Sequence, residues 1–194
     1  MKLFVIGFPK SGTTTLHKAL ESSGMSTLHW RQGDKFLGKM IYDAYMAGED
    51  PLRDFGNIDC ITQADVCLPR HKLNYWPNLD FQIIAAIRRY HPDCLLALNY
   101  RDPVKVVSSM NRWLDMRKRF IASDIPGLPK GFGAKDSELL TWIEGHYDAC
   151  RRLLGSDPKF FEYDIEDPKA PQILSERLGV ELAWWGKANV NEAA

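Results

Sequence analysis

The sequence predicts an α/β fold: a single domain of three layers whose mainly parallel central sheet, of about five strands, is covered by helices. Strand and helix patterns alternate along the chain, which is typical of parallel sheets. The 194 residues suffice for one domain with a sizeable core, and no repeat or low-complexity tract divides residues 1–194. An apolar run near the start leads into a glycine-containing loop and a helix, the arrangement of a P-loop fold.

The first elements follow from apolar runs and helix terminators. Residues 3–6 are continuously apolar and predict a buried strand. A helix is predicted over residues 13–22, because Gly24 then provides a terminator. Residues 26–30 predict the second strand, and residues 35–46 predict the second helix.

The middle of the chain predicts two further strands, each near a helix. Residues 57–62 are a candidate third strand, and residues 79–90 predict a helix. Residues 94–99 are apolar and predict the fourth strand. The helix that follows is predicted to run from Pro103 to about residue 120, because proline suits the first turn of a helix.

The last third contains a loop, two helices and the fifth strand. Residues 125–133 are rich in proline and glycine and predict a loop that could cover a site as a lid. Residues 137–154 and 168–178 predict helices on either side of a strand at 159–163. The tail at 182–190 is too aromatic for a disordered terminus.

The overall charge of the chain gives no sign of a nucleic-acid or membrane partner. Lys and Arg number 25 and Asp and Glu number 25, so the net charge is zero and any anion site must be made locally. No stretch is long and apolar enough to span a membrane, and the first residues do not look like a signal peptide. We therefore expect a cytoplasmic protein. The sequence does not indicate its oligomeric state.

The four cysteines lack the spacing of a metal site. Cys60, Cys67 and Cys94 lie in or beside apolar segments, which predicts small core residues rather than disulfide or redox roles. The fourth cysteine is Cys150.

The loop after the first strand has the composition of a phosphate site. Its residues from Gly7 to Thr14 follow the P-loop pattern Gly-x-x-x-x-Gly-Lys-Ser/Thr with one departure. Thr13 stands where the lysine is expected, and the lysine lies inside the loop as Lys10. This departure argues against an ordinary ATPase or kinase, although a generic glycine-rich turn before a helix would give part of the same pattern.

The stretch Pro9-Lys10-Ser11-Gly12-Thr13-Thr14 resembles the loop of sulfotransferases that use 3′-phosphoadenosine 5′-phosphosulfate (PAPS), residue for residue. The resemblance implies one sulfotransferase-like P-loop domain, nearest the small bacterial-type members, whose loop holds the 5′-phosphosulfate. It implies that Lys10 acts on the oxygen bridging phosphate and sulfate, where negative charge develops during transfer. It also implies that no metal is required, because PAPS has no γ-phosphate for magnesium to clamp.

A second motif follows the fourth strand. Arg101 stands in Tyr-Arg-Asp-Pro, and Ser109 lies eight residues after it. In the same family an arginine and a serine with this spacing bind the 3′-phosphate of PAPS, so the resemblance assigns that role to Arg101 and Ser109. A guanidinium offers a rigid fork for phosphate oxygens. Without the first motif, the commoner interpretation is that Arg101 is a surface ion-pair partner and that Ser109 is an ordinary serine of the helix.

The acceptor side needs a base for the incoming hydroxyl or amine. Asp65 is predicted just beyond the third strand, where functional groups gather in open α/β sheets, and it loosely resembles an aspartate of the bacterial members. An equally good interpretation is a cap for a following helix. His29, at the end of the second strand, is the second candidate base because histidine titrates near neutral pH, although a structural histidine is the commoner case.

Two further basic features are candidates for contact with an anion. Lys187, in the late Trp-Trp-Gly-Lys segment, could reach the 3′-phosphate as late basic segments of the family do, but packing of the tryptophans is the default interpretation. The family's Arg-Lys-Gly-x-x-Gly form is missing. The basic run at 112–119 could attract an anion, although a solvated helix face is the commoner explanation.

The resemblance therefore implies a sulfotransferase that moves a sulfuryl group from PAPS to a hydroxyl or amine of a small-molecule, sugar or other carbohydrate, or lipid acceptor. Two alternatives stay open. One is a small-molecule or nucleotide kinase that uses Mg-ATP, with an aspartate such as Asp59 behind the metal. The other is a nucleotide-binding module of the same fold without catalysis. The acceptor itself is not indicated by the sequence.

Overall fold

A computed structural model describes residues 1–186 and 188. Its strands are β1 Leu3–Val5, β2 Thr27–His29, β3 Arg31–Gln32, β4 Lys35–Phe36, β5 Cys60–Gln63, β6 Val66–Leu68, β7 Leu73–Tyr75, β8 Leu95–Tyr100 and β9 Phe160–Asp164. Its α-helices are α1 Thr13–Ser22, α2 Leu37–Met46, α3 Phe81–Tyr90, α4 Pro103–Asn111, α5 Met116–Ile121, α6 Asp136–Leu154 and α7 Ala170–Leu178.

The main sheet has the order β4-β3-β2-β5-β1-β8-β9. Five neighbouring strands of this sheet are all parallel, which confirms the predicted α/β class; in order they are β2, β5, β1, β8 and β9. The short strands β3 and β4 extend one edge in antiparallel fashion. A separate two-stranded antiparallel hairpin is formed by β6 and β7.

Alternation along β1 explains the three layers. Leu3 and Val5 pack in a cluster with residues of α1 and α7, whereas Phe4 packs in the larger cluster with residues of α2, α3 and α6. Successive side chains of a strand point to opposite faces of the sheet, so helices cover both faces of β1. The result is the three-layer arrangement predicted from the alternating pattern.

The strand order creates a crevice at the carboxyl ends of β1 and β8. Along the strand order, the connection from β1 to β2 runs towards β4, whereas the connection from β8 to β9 runs towards the opposite end of the sheet. Ligands of open α/β sheets bind where neighbouring connections diverge in this way. The loop after β1 and the Arg101 segment after β8 are therefore brought to the same place.

Several predicted elements differ from the structure. The long helix predicted to run to residue 120 is two helices, because Leu114 adopts a left-handed φ of 46° that a right-handed helix does not contain. The start of the predicted helix at residue 35 forms β4 instead, and the helix begins at Leu37. The predicted lid at 125–133 packs into the core through Ile125 and Leu128, and none of its residues lines the cleft described below.

No helix among the described residues is long and apolar enough to cross a membrane. All four cysteines are buried and free, as expected for core residues.

Candidate active site

A cleft of about 1650 Å³ opens at the carboxyl ends of β1, β5 and β8. Among the lining residues that the structure describes, six are cationic and three are acidic, although the whole chain has no net charge. The cations are Lys10, Arg70, Arg101, Lys105, Arg112 and Arg119, and the acids are Asp65, Asp115 and Glu166. The fold thus gathers positive charge locally, as an anion site in a chain of zero net charge would need.

The loop over residues 7–14 has a backbone shaped for a cradle. Lys10 and Gly12 both have left-handed φ angles, of 69° and 76°. A Cβ on Gly12 would lie 2.2 Å from Cγ1 of Ile165, so glycine is needed both for its conformation and for this close approach. Helix α1 begins at Thr13, and the first N–H groups of a helix have no partner within it. Such a loop and helix start form an anion site.

Side chains from neighbouring strands and loops brace this backbone. The Asn99 amide of β8 donates to the carbonyl oxygens of Ser11 at 2.9 Å and Phe8 at 3.3 Å. Asn78 donates to the carbonyl oxygen of Gly7 at 2.8 Å. Because these donors are buried, the loop is held in shape by the protein itself.

Lys10 extends from the loop over the ring of Trp113, with its Nζ 3.7 Å from the ring centroid. Burial lowers the pKa of Lys10 from 10.5 to about 8, and the neighbouring charges of Arg101 and Arg112 act in the same direction. The ammonium form is therefore retained at neutral pH and lost readily above it. The cation–π contact favours the charged form and orients it.

The other loop residues divide between the cleft and the interior. Pro9, Gly12, Thr13 and Thr14 line the cleft. Ser11 is fully buried, and its hydroxyl has no hydrogen-bond partner in the described part of the chain. Ser11 does not line the cleft, so at most its backbone can contact a phosphate there.

A chain of hydrogen bonds connects the loop to Asp65. The Thr13 hydroxyl donates to Oε1 of Gln63 at 2.9 Å, and the Gln63 amide donates to Oδ2 of Asp65 at 3.3 Å. Asp65 is 6% exposed, and its Oδ1 is buried without a partner among residues 1–186 and 188. Burial raises the pKa of Asp65 to about 7, against the opposing effects of Gln63 and Arg119. The interpretation of Asp65 as a helix cap is wrong, because strand β6 follows it at Val66.

His29 lies at the end of β2, where it pairs with Gln63 of β5. The Thr62 hydroxyl donates to the carbonyl oxygen of Leu28, so it accepts the proton of His29 Nδ1 at 3.0 Å. This arrangement leaves Nε2 as an acceptor, 3.5 Å from the Thr14 hydroxyl. Burial, with a smaller effect of His17, lowers the pKa of His29 to about 4, so the ring is neutral at pH 7.

Arg101 and Ser109 are brought to the cleft together. Nη1 of Arg101 donates to the carbonyl oxygen of Lys10 at 2.9 Å, which ties the second motif to the first. Nε of Arg101 donates to Oε1 of Glu166 at 3.2 Å. Ser109 is 6% exposed and lines the cleft from α4. Both positions therefore stand where a ligand of the loop can contact them.

The late basic candidate, Lys187, lies outside the described residues. On either side of it, Gly186 and Ala188 line the cleft. The backbone N–H of Ala188 donates to the Thr15 hydroxyl at 3.3 Å. The chain thus returns to the start of α1 at this point.

The basic run at 112–119 is divided by the break between α4 and α5. Arg112 and Arg119 line the cleft, whereas Arg117 pairs with Asp136 at the start of α6. Part of the run is therefore a source of positive potential at the site rather than a solvated face. The kinase candidate Asp59 lies just before β5, at the amino end of that strand and not among the residues of the cleft, and its carboxylate pairs with Lys2 at 3.1 Å.

Sequence reasoning missed four residues that shape the site. They are Asn99, Gln63, Lys105 and Glu166. Lys105 could have been found, because it lies four residues before Ser109 in the predicted helix. Glu166 follows the last strand and could have been found by the same rule that located Asp65. Asn99 and Gln63 carry no sequence signal of their own.

The chain matches no model of a known protein family, and no curated protein matches it. Across residues 1–186 and 188, no group of three or more His, Cys, Asp or Glu side chains is placed to hold a metal ion.

Proposed function

We propose that this protein is a PAPS-dependent sulfotransferase. One observation carries the proposal. Lys10 and Arg101, which come from loops 91 residues apart, meet in one cationic cleft and are joined by the bond from Arg101 Nη1 to the Lys10 carbonyl oxygen. A donor with two separate phosphate groups needs two such anion sites on one surface.

The residues present fit the donor. The loop backbone from Pro9 to Thr14, with the start of α1, would hold the 5′-phosphate, and Arg101 and Ser109 would hold the 3′-phosphate. Support comes from the backbone of the loop, whose form is held by hydrogen bonds from Asn78 and Asn99. PAPS, when bound, supplies the activated sulfuryl group.

Lys10 is the proposed electrostatic catalyst. In the transfer, the bond between sulfur and the bridging oxygen breaks, and that oxygen becomes negative on the departing adenosine 3′,5′-bisphosphate. A positioned ammonium stabilises this charge more in the transition state than in the ground state. The contact with Trp113 supports this role because it limits the directions that the ammonium can take.

Asp65 is the proposed base, with His29 as the alternative. A new bond joins sulfur to the acceptor oxygen or nitrogen, and the acceptor proton moves to the carboxylate. With a pKa of about 7, Asp65 is a stronger base at neutral pH than His29, whose pKa is about 4. Next to Asp65 the cleft is lined by buried apolar side chains, which suit an acceptor with an apolar body; these are Val66, Cys67, Trp76 and Phe120.

We further propose a reducing compartment such as the cytoplasm, since all four cysteines are free and buried.

Ligand binding separates the proposal from its alternatives. Thermal unfolding should shift upward with adenosine 3′,5′-bisphosphate, because a ligand that binds the native state stabilises it. A shift with Mg-ATP alone would favour a kinase. A shift with the bisphosphate, but no sulfated product from PAPS with any phenol, alcohol, sugar or amine, would leave a binding module.

The role of Lys10 has a direct test. Lys10→Ala should lower turnover of PAPS by about 100-fold or more while weakening bisphosphate binding much less. Lys18→Ala, which removes an exposed cation from the same region of the chain, is the matched control and should change neither. Unchanged turnover in Lys10→Ala would refute the assignment.

A further inference from the structure

The strongest cluster of charges that the proposed function leaves unused lies beside Arg101. Glu166 accepts from Arg101 Nε through Oε1 at 3.2 Å and pairs with Lys105 Nζ through Oε2. All three side chains line the cleft. One carboxylate therefore occupies the space between two cations that face a ligand site.

Lys105 belongs to the same surface as the two residues assigned to the phosphate. Lys105 and Ser109 are four residues apart on α4 and so lie on one face of the helix. Arg101 stands two residues before the helix begins. The three side chains thus follow one line along the cleft, beginning at the positive end of the α4 dipole.

Glu166 is held in this position by the ends of two neighbouring strands. The backbone N–H of Ile165 donates to the Tyr100 carbonyl oxygen at 3.0 Å, which ties the end of β9 to the end of β8. The backbone N–H of Glu166 donates to Oδ1 of Asp164 at 2.9 Å and closes the turn. Hydrogen bonds from Lys105 and Arg101 keep the pKa of Glu166 below its ordinary value, so the carboxylate is ionised at neutral pH.

We propose that Arg101, Lys105 and Ser109 form a three-residue phosphate subsite, and that the Glu166 carboxylate occupies it in the free protein. A carboxylate with a guanidinium and an ammonium around it has the donors that a phosphate would use. An incoming phosphate therefore displaces Glu166 and takes over its partners. The free protein keeps its cations paired, and the subsite favours a dianionic phosphate over weaker anions.

This inference rests on the proposed function, since it assigns Lys105 and Glu166 to the 3′-phosphate of the donor. Removing the charge of Glu166 removes both a competitor for the cations and a repulsion against the phosphate. At the contact distance of an ion pair that is partly exposed, this corresponds to a change of about five- to ten-fold in affinity.

The test compares two nucleotides that differ only in the 3′-phosphate. Calorimetry would give the Kd of adenosine 3′,5′-bisphosphate and of adenosine 5′-phosphate for the native protein and for the Glu166→Gln and Lys105→Met variants. Glu166→Gln should tighten bisphosphate binding by about five- to ten-fold, and Lys105→Met should weaken it by about ten-fold. Neither should change the Kd of adenosine 5′-phosphate by more than about two-fold.

A matched control removes a similar ion pair elsewhere. Glu162, on the same strand β9, pairs with Arg151 at 2.7 Å and does not line the cleft, so Glu162→Gln should leave both Kd values unchanged. Unchanged or weaker bisphosphate binding in Glu166→Gln would overturn the inference, as would equal tightening of both nucleotides. If the native protein binds neither nucleotide, the proposed function fails as well. If it binds the bisphosphate normally and the variants do not differ from it, only the subsite assignment fails.

Discussion

Replacing Asp65 by asparagine should stabilise the folded protein, and the gain should grow as pH rises. The side chain is 6% exposed, and its Oδ1 has no hydrogen-bond partner in the described structure. Asparagine has nearly the same shape and keeps an acceptor for Gln63, but it carries no charge to be desolvated. Because the amide does not titrate, the pH dependence of the difference between variant and native protein reports the burial of the carboxylate.

The size of the effect follows from the pKa of Asp65, which burial raises from 3.8 to about 7. A carboxyl with a higher pKa in the folded chain than in the unfolded chain binds more protons when folded, so between these values stability falls as pH rises. One pKa unit corresponds to about 1.4 kcal/mol, so the full penalty above pH 8 is about 4 kcal/mol. Between about pH 4.5 and pH 8 the advantage of Asp65→Asn should increase by about 3 kcal/mol.

Urea unfolding at these two pH values measures the prediction, because the free energy of unfolding extrapolates linearly from denaturant. Asp59→Asn is the control without this pH dependence. The backbone N–H of Ser26, with a smaller effect of Lys2, holds the pKa of Asp59 below its ordinary value, so the contribution of this carboxylate is lost only below about pH 4 and should be nearly the same at both pH values. If Asp65→Asn differs from the native protein by the same amount at both pH values, the carboxyl is not desolvated as described and the reasoning is wrong.

Two other predictions follow from the loop. By calorimetry, the Kd of the native protein for adenosine 3′,5′-bisphosphate should rise by about ten-fold from pH 7 to pH 9.5, because Lys10, whose pKa is about 8, loses its charge. A Lys10→Arg variant stays charged over this range, so its Kd should rise much less. Asn99→Ala should lower the free energy of unfolding by about 2–3 kcal/mol, because the buried carbonyl oxygens of Phe8 and Ser11 lose their donor. Asn111→Ala, at an exposed position of α4, should change it by less than about 0.5 kcal/mol in the same urea titration.

The parts of the fold that could be predicted are those encoded by short contiguous patterns. Helix α1 has the predicted bounds because the glycine before it and the glycine after it are local signals. The five parallel strands follow from apolar runs, and their order then places the two motifs together. The break at Leu114 could not be predicted, since no glycine or proline stands there and only tertiary packing selects a left-handed leucine.

The site was predictable to the same extent. Lys10 and Arg101 belong to contiguous motifs, so their positions follow once the strands are known. The partners that set their chemistry come from elsewhere in the chain: Trp113 from the helix break, and Glu166 from the turn after β9. A pattern in one segment carries no information about which side chain of another segment will pack against it.

Lys10 and Asp65, the proposed catalyst and base, both have pKa values that burial shifts against their charged forms. Burial shifts the pKa of Lys10 down to about 8 and that of Asp65 up to about 7, and each shift opposes folding because it disfavours the charged form. The Arg151–Glu162 pair on the outside of the same sheet shows the contrary case, in which a hydrogen bond from one partner favours the charge of the other. A fold selected for stability alone would replace both Lys10 and Asp65 with neutral residues of similar size. Both side chains line one cleft and are connected through the same loop, as we expect if Lys10 is the electrostatic catalyst and Asp65 the base of the proposed reaction.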